Sequence, residues 1–175
     1  MIKASLGSVP ELAYSVSATT RDPRPGEKDG RDYIFLSREE FERWIGEDRF
    51  LEWAEYSGNL YGTPGQKVEE LLEEGKSVIL EIELQGARQV KKKRPDAVMV
   101  FVRAPSLEET RRRLTGRATE TDEAMENRLA TAVGEVAATG EFDHEVVNGD
   151  REQARNDIID KMESIARGGN SAARP

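Results

Sequence analysis

Apolar and polar residues alternate, with β-branched and aromatic side chains among them, near Leu12 to Ser17, Asp32 to Leu36, Phe50 to Ser57, Ser77 to Glu83, Ala97 to Val102 and His144 to Asn148. That pattern predicts short strands. Apolar spacing at helical intervals predicts helices near Ser37 to Ile45, Gln66 to Glu74, Ala87 to Lys93, Ser106 to Leu114, Thr121 to Ala138 and Arg151 to Arg167. Ser37 followed by Glu40, and Ser106 followed by Glu109, have the spacing of capping boxes, in which serine and acid each satisfy a backbone N–H of the first turn.

Within this pattern two strands differ from the rest. Val78-Ile79-Leu80 and Val98-Met99-Val100-Phe101-Val102 are continuously apolar. Such runs are expected where helices cover both faces of a parallel sheet, so both are assigned to the core. Asp32 to Leu36 and Phe50 to Ser57 mix polar and aromatic residues, as in a smaller, half-exposed sheet that carries binding groups. The reading is an α/β protein with a parallel-sheet core, interrupted by a small mixed subdomain over residues 18–76. The small, polar tail from Gly168 to Pro175 has nothing to bury and is expected to be disordered.

Composition narrows the function classes. A chain of 175 residues with 34% charged and 37% hydrophobic residues is long enough for one buried core and is globular. No apolar run approaches membrane-spanning length and no secretory pattern opens the chain, so a cytoplasmic protein with no membrane partner is expected. The absence of cysteine excludes disulfides and thiolate metal sites. A formal charge of -8 argues against nucleic acid as a partner, because that surface needs a broad basic footprint. A small phosphorylated ligand needs only a local cluster, and basic residues do cluster at Arg21 to Arg31, Lys91 to Arg94 and Arg111 to Arg117.

The first of these clusters is the most informative. In Thr19-Thr20-Arg21-Asp22-Pro23-Arg24-Pro25-Gly26-Glu27-Lys28-Asp29-Gly30-Arg31-Asp32-Tyr33-Ile34-Phe35, two arginines stand three residues apart, with prolines and a glycine stiffening or turning the backbone. Paired guanidinium forks can grip one phosphate from both sides. The run T-T-R-x-x-R-P-G-E-x-x-G-x-D-Y-x-F resembles the nucleoside-monophosphate-binding signature of guanylate kinases, and similarity extends from about Pro10 to near Arg167. The resemblance implies a P-loop kinase core over residues 1–167, a GMP-binding subdomain over 18–76 and a helical lid over 111–131. It also implies transfer of a phosphate from ATP to GMP, with dGMP as a candidate acceptor and Mg2+ as the metal.

Carried over residue by residue, the resemblance places Arg21, Arg24, Tyr33 and Tyr61 on the monophosphate, with Ser17 lining the same pocket. Phe50-Leu51-Glu52-Trp53 and Gly58-Asn59-Leu60-Tyr61-Gly62-Thr63 are similar to the base-reading segments, which assigns Glu52 and Thr63 to guanine. The chemistry agrees: guanine presents an N1–H beside an exocyclic amine, and one carboxylate can accept from both. Ser77 to Gly86 is an apolar strand running into acids, the placement of a carboxylate that organises magnesium, so Glu81 is the metal candidate. Glu83 stands where the family usually has aspartate and is a further GMP candidate.

Arg111 to Glu120 with Arg128 resembles the lid, and Arg117 and Arg128 are the candidates that close over the phosphates as catalytic charges. Asn148 takes the position that meets the adenine side of ATP. The family's opening strand and its G-x-x-G-x-G-K-S/T loop do not occur in the sequence as given, so the core is expected to be N-terminally truncated, with severely impaired turnover and a GMP site that still converges. A non-catalytic guanylate kinase-like binding module is the alternative. Retention of both base-reading and phosphate-reading residues argues against it.

Overall fold

The computed structural model describes residues 11–115, 134 and 136–172. The chain divides between Ala97 and Val98 into two compact units. The first contains strands β1 (Leu12–Tyr14), β2 (Ala18–Thr19), β3 (Ile34–Phe35), helix α1 (Arg38–Gly46), strands β4 (Phe50–Tyr56) and β5 (Asn59–Pro64), helix α2 (Gly65–Glu73), strand β6 (Ser77–Ile79) and helix α3 (Leu84–Lys93). The second contains β7 (Val100–Arg103), α4 (Leu107–Thr115), a 3-10 turn over Thr139–Glu141, β8 (His144–Val147) and α5 (Arg151–Ala172).

In the first unit β1 and β6 form a parallel pair, Tyr14 opposite Ile79. The mixed sheet runs in the order β3-β2-β5-β4, with β2 parallel to β3 and the other pairings antiparallel. Two of its strands, β2 and β5, were not predicted. Gly58, Gly62 and Pro64 punctuate the β5 segment, and its strand identity comes from pairing with β4 and β2 rather than from its own composition. The β4–β5 hairpin turns through Ser57 and Gly58, at φ 49 and 77, the two consecutive left-handed positions of a tight two-residue hairpin turn.

The register slips by one residue between Phe50 and Glu52, so Leu51 is a bulge in β4. The bulge puts successive residues to work on different neighbours. Phe50 joins Ala18, Phe41 and Leu60 in one core cluster, its ring 4.4 Å from that of Phe41. Leu51 joins Val68 and Val90 in another, against which Val78, Leu80, Ile82 and Ala97 pack. The capping box at α1 forms as predicted, with Ser37 Oγ accepting from the Glu40 N–H and Glu40 Oε2 accepting from the Ser37 N–H, each at 3.1 Å.

Helix α3 starts at Leu84, earlier than the apolar spacing suggests, because β6 ends at Ile79 and Glu83 adopts extended geometry as the residue that opens the helix. In the second unit β7 and β8 pair in parallel from Val100 opposite His144 to Arg103 opposite Val147. The continuous apolar run predicts a fully buried strand here, and the structure corrects that: Val98 and Val102 are 44% and 43% exposed. Met99 is buried and Phe101 packs 4.9 Å from Phe142, so the strand has one covered face and one open face. At α4, Ser106 Oγ accepts from the Glu109 N–H, while the Glu109 carboxylate bonds Arg112 and Arg113 instead of closing a capping box.

Asp150 starts α5 by accepting from the N–H groups of Glu152 and Gln153. The helix buries Ala154 and Ile158 and runs to Ala172, into the stretch read from sequence as a tail. The segment predicted as a helix from Thr121 to Ala138 lies mostly outside the described residues.

Candidate functional site

The strand β2 and the loop after it build a cluster around Arg21. Thr19 Oγ1 accepts from the Arg21 N–H at 3.1 Å, which fixes where the arginine leaves the sheet. The Arg21 guanidinium then donates through Nη2 to both carboxylate oxygens of Glu27, at 3.0 Å each. It lies 5.4 Å from the centre of the Tyr33 ring, and Tyr33 and Tyr61 stand edge to face at 6.2 Å. Partial burial alone would lower the Arg21 pKa, but the Glu27 bond outweighs it and the guanidinium titrates above its ordinary value, with a further hydrogen bond to Tyr61.

Arg21, Tyr33 and Tyr61 therefore come together, the first two from one short run and the third from β5. Arg24 is exposed and joins the cluster through its backbone N–H, which donates to Glu27 Oε2 at 2.7 Å. That backbone bond is the main reason the Glu27 carboxyl sits below its ordinary range, with the Arg21 bond next. Ser17 immediately precedes β2, and its carbonyl accepts from the Ile34 N–H at 2.9 Å. Glu27 belongs to the signature but was given no role in the sequence reading. Its presence three residues after the second arginine was the available signal.

The second cluster is interior. Glu52 and Thr63 are register partners on β4 and β5. The Thr63 hydroxyl donates to Glu52 Oε1 at 2.6 Å, and the residues are 4% and 0% exposed. Burial raises the Glu52 pKa, while the side chain and backbone of Thr63, and then Lys93, act the other way. The carboxylate lies against Gly86 of α3, so closely that a Cβ there would fall 2.3 Å from Oε2. No side chain other than glycine leaves this space to the acid.

Past the end of β6, Glu81 is exposed and hydrogen-bonded to the Tyr14 side chain. Burial first, and then the Glu81 charge, push the Tyr14 phenol pKa upward. Tyr14 faces Ile79 in the β1–β6 register, two residues before Glu81. Glu83 occupies the residue before α3 with an exposed side chain that makes no capping bond. Among the described residues no group of three or more His, Cys, Asp or Glu surrounds a possible metal position.

In the second unit Asn148 follows β8 and its N–H donates to the Arg103 carbonyl at 2.7 Å. Arg117 and Arg128 lie outside the described residues. A cavity of about 490 Å³ bordered by Trp44, Arg49, Pro64, Gln66, Glu69 and Lys93 contains none of the predicted site residues.

One arginine and two tyrosines are gathered beside β2, a buried acid is paired with a hydroxyl, and an exposed acid lies past the end of β6. Known proteins share both the sequence and the fold. The guanylate kinase family model matches residues 1–165. The chain is 74% identical over 169 residues to a guanylate kinase of Rubrobacter xylanophilus, covering 97% of this chain and 88% of that relative. It is 49% identical over 159 residues to a guanylate kinase of Synechocystis sp., covering 91% and 83%. Among solved structures, the guanylate kinase from Anaplasma phagocytophilum matches with a TM-score of 0.75 at 32% identity, covering 95% of this chain and 81% of that one.

Proposed function

The chain belongs to the guanylate kinase family, and as a kinase that phosphorylates GMP we propose that it does so in the cytoplasm with ATP as donor, using Glu52 and Thr63 to read guanine and Arg21, Tyr33 and Tyr61 to hold the acceptor phosphate. In this reading a GMP phosphate oxygen attacks the terminal phosphorus of ATP. The new P–O bond forms as the bond to the ADP bridging oxygen breaks, giving GDP and ADP. The protein's work in such a transfer is positioning and charge stabilisation.

Arg21 is already oriented by Glu27 and by the Asp22 carbonyl, which accepts from Nη1 at 2.5 Å, and the N–H groups left over serve phosphate oxygens. The tyrosine hydroxyls add neutral donors whose rings restrict the pocket. Arg24 and Ser17 join when the nucleotide is bound, Glu83 adds a second acid on the base side, and Arg117 and Arg128 close over the transferring group. Asn148 contacts the adenine of ATP.

The observation that carries the reading is the bond between Glu52 and Thr63, 2.6 Å long and shut away from water. A buried carboxylate with Gly86 packed against its second oxygen leaves no side chain at that position between itself and a ligand, and a carboxylate is suited to accept two adjacent N–H donors. Guanine has that pair and adenine does not. Leaving such an acid unpaired is costly, so adenine is discriminated against by the acid's lost partners as much as by its own.

Glu81 fits magnesium by the chemistry of its donor. Mg2+ is held by one or two carboxylates, with substrate phosphates and water completing the shell, and an exposed acid at a strand end meets that need. When bound, the metal neutralises charge on the donor phosphates. Tyr14, bonded to Glu81, fixes where that carboxylate points.

Calorimetric titration with GMP and with AMP tests the reading. GMP binding that E52Q weakens, with AMP binding weak in both proteins, is the expected result. Equal affinity for GMP and AMP in the unaltered chain would overturn the assignment of Glu52.

A further inference from the structure

Strand β4 ends the sheet order β3-β2-β5-β4, so the backbone groups on its outer edge need partners from elsewhere. Helix α3 supplies them. Gln89 Oε1 accepts from the Trp53 N–H at 3.2 Å, and Gln89 Nε2 donates to the Trp53 carbonyl at 2.7 Å. One side-chain amide thus makes both bonds that a neighbouring strand would make at this residue. Lys93 Nζ donates to the Phe50 carbonyl at 3.1 Å on the same strand.

The spacing on α3 is that of a single helical face. Gly86, Gln89, Val90 and Lys93 fall at i, i+3, i+4 and i+7. Gly86 makes room for the Glu52 carboxylate, Gln89 holds the peptide groups of the next residue, and Val90 packs with Leu51. Glu52 is therefore flanked along the chain by two residues that α3 grips, and it is the first paired residue after the Leu51 bulge that interrupts the ladder with β5. At a bulge the extra residue is left unpaired and the ladder is locally disrupted, so contacts from outside the sheet help to hold the strand there.

We propose that Gln89 is a positioning residue for base recognition, its amide fixing β4 against α3 so that the Glu52 carboxylate keeps its place between Thr63 and Gly86. The inference rests on Glu52 being the acid that reads guanine. Only a neutral amide satisfies the geometry. A carboxylate at position 89 keeps the acceptor for the Trp53 N–H but turns a second acceptor toward the Trp53 carbonyl, and a short aliphatic side chain offers neither bond.

The test compares Q89A, Q89E and E52Q with the unaltered protein by calorimetric titration with GMP and AMP, alongside thermal unfolding. Q89A and Q89E are expected to weaken GMP about tenfold, the usual effect of losing one well-made hydrogen-bonding group. AMP affinity should stay within about twofold, because the phosphate cluster does not depend on this seam. Q89E matches glutamine in size, so it separates hydrogen bonding from packing and is the variant to read should Q89A fail to fold. Unaltered GMP affinity in Q89E, or equal losses for GMP and AMP, would overturn the proposal. If E52Q leaves the preference for GMP intact, the reading of Glu52 itself falls; if E52Q removes it while Q89E does not, only the role of Gln89 falls.

Discussion

The Thr63 hydroxyl reaches Glu52 Oε1 across the β4–β5 ladder at 2.6 Å, and it is the single side-chain hydroxyl that this buried carboxylate accepts from among the described residues. The bond orients the acid before any ligand arrives. Thr63→Val keeps the shape and removes the donor, leaving a buried carboxylate short of one partner, a loss of about 1.5–3 kcal/mol for a hydrogen bond to a charged group. GMP affinity measured by calorimetry is expected to fall by at least about tenfold. Affinity unchanged within twofold would mean that the hydroxyl has no part in holding the acid.

The same burial makes a prediction about pH. The Glu52 pKa is raised above the ordinary 4.5 chiefly by desolvation. The folded state therefore binds a proton more readily than the unfolded state, and stability falls as pH rises from the ordinary carboxylate value through the raised one. Above that window the unaltered protein carries the full cost of a buried charge. E52Q carries none, so its unfolding temperature should exceed that of the unaltered protein at pH 7.5, and the gap should close as the pH is lowered to 4. A gap of the opposite sign at pH 7.5 would show that the Thr63 bond outweighs desolvation.

Two glycines next to this acid answer differently to alanine. At Gly86 an added methyl meets the end of the Glu52 side chain, which can swing away, and alanine is the better helix former by about 1 kcal/mol. Gly86→Ala is expected to lower the unfolding temperature only modestly, the helix gain partly offsetting the disturbed Glu52–Thr63 bond, while weakening GMP by about tenfold or more. At Gly62 the added methyl meets the Phe50 ring at 2.9 Å and the Glu52 carbonyl oxygen at 3.0 Å, and backbone cannot swing aside. Gly62→Ala should lower the unfolding temperature outright. Thermal unfolding and GMP titration on the two variants separate a binding defect from a folding defect.

How much of this was legible beforehand depended on the range of the interactions. The meeting of Arg21 with Tyr33 was legible because the two sit in one short run whose spacing is characteristic, and Ser37 with Glu40 announced α1 through contacts three residues apart. The bulge at Leu51 and the strand β5 were not, since both are consequences of how β4 pairs across space rather than of local preference. The seam between Gln89 and Trp53 spans 36 residues, and nothing in a helical pattern says what its polar positions will touch. Val98 and Val102 misled for a related reason: hydrophobicity reports what a strand can bury, not which of its faces is covered.

The pairing of Arg21 with Glu27 sets two effects against each other at the phosphate cluster. The carboxylate holds the guanidinium fork through two bonds of 3.0 Å, which orients the remaining N–H groups. It also brings a negative charge close to where the phosphate of the nucleotide is proposed to bind. Partly exposed charges are screened by water and salt over roughly a Debye length of 8–10 Å, so the repulsion is weakened, whereas the orientation is not. E27Q keeps an acceptor for the Arg24 N–H and loses the ion pair with Arg21. Orientation should win: GMP affinity is expected to drop roughly three- to tenfold in E27Q, with AMP affected to the same degree because the phosphate is common to both. Titration of the two nucleotides reads the balance directly. Tighter binding in E27Q would mean that charge repulsion governs the cluster and that Arg21 needs no partner to find the phosphate.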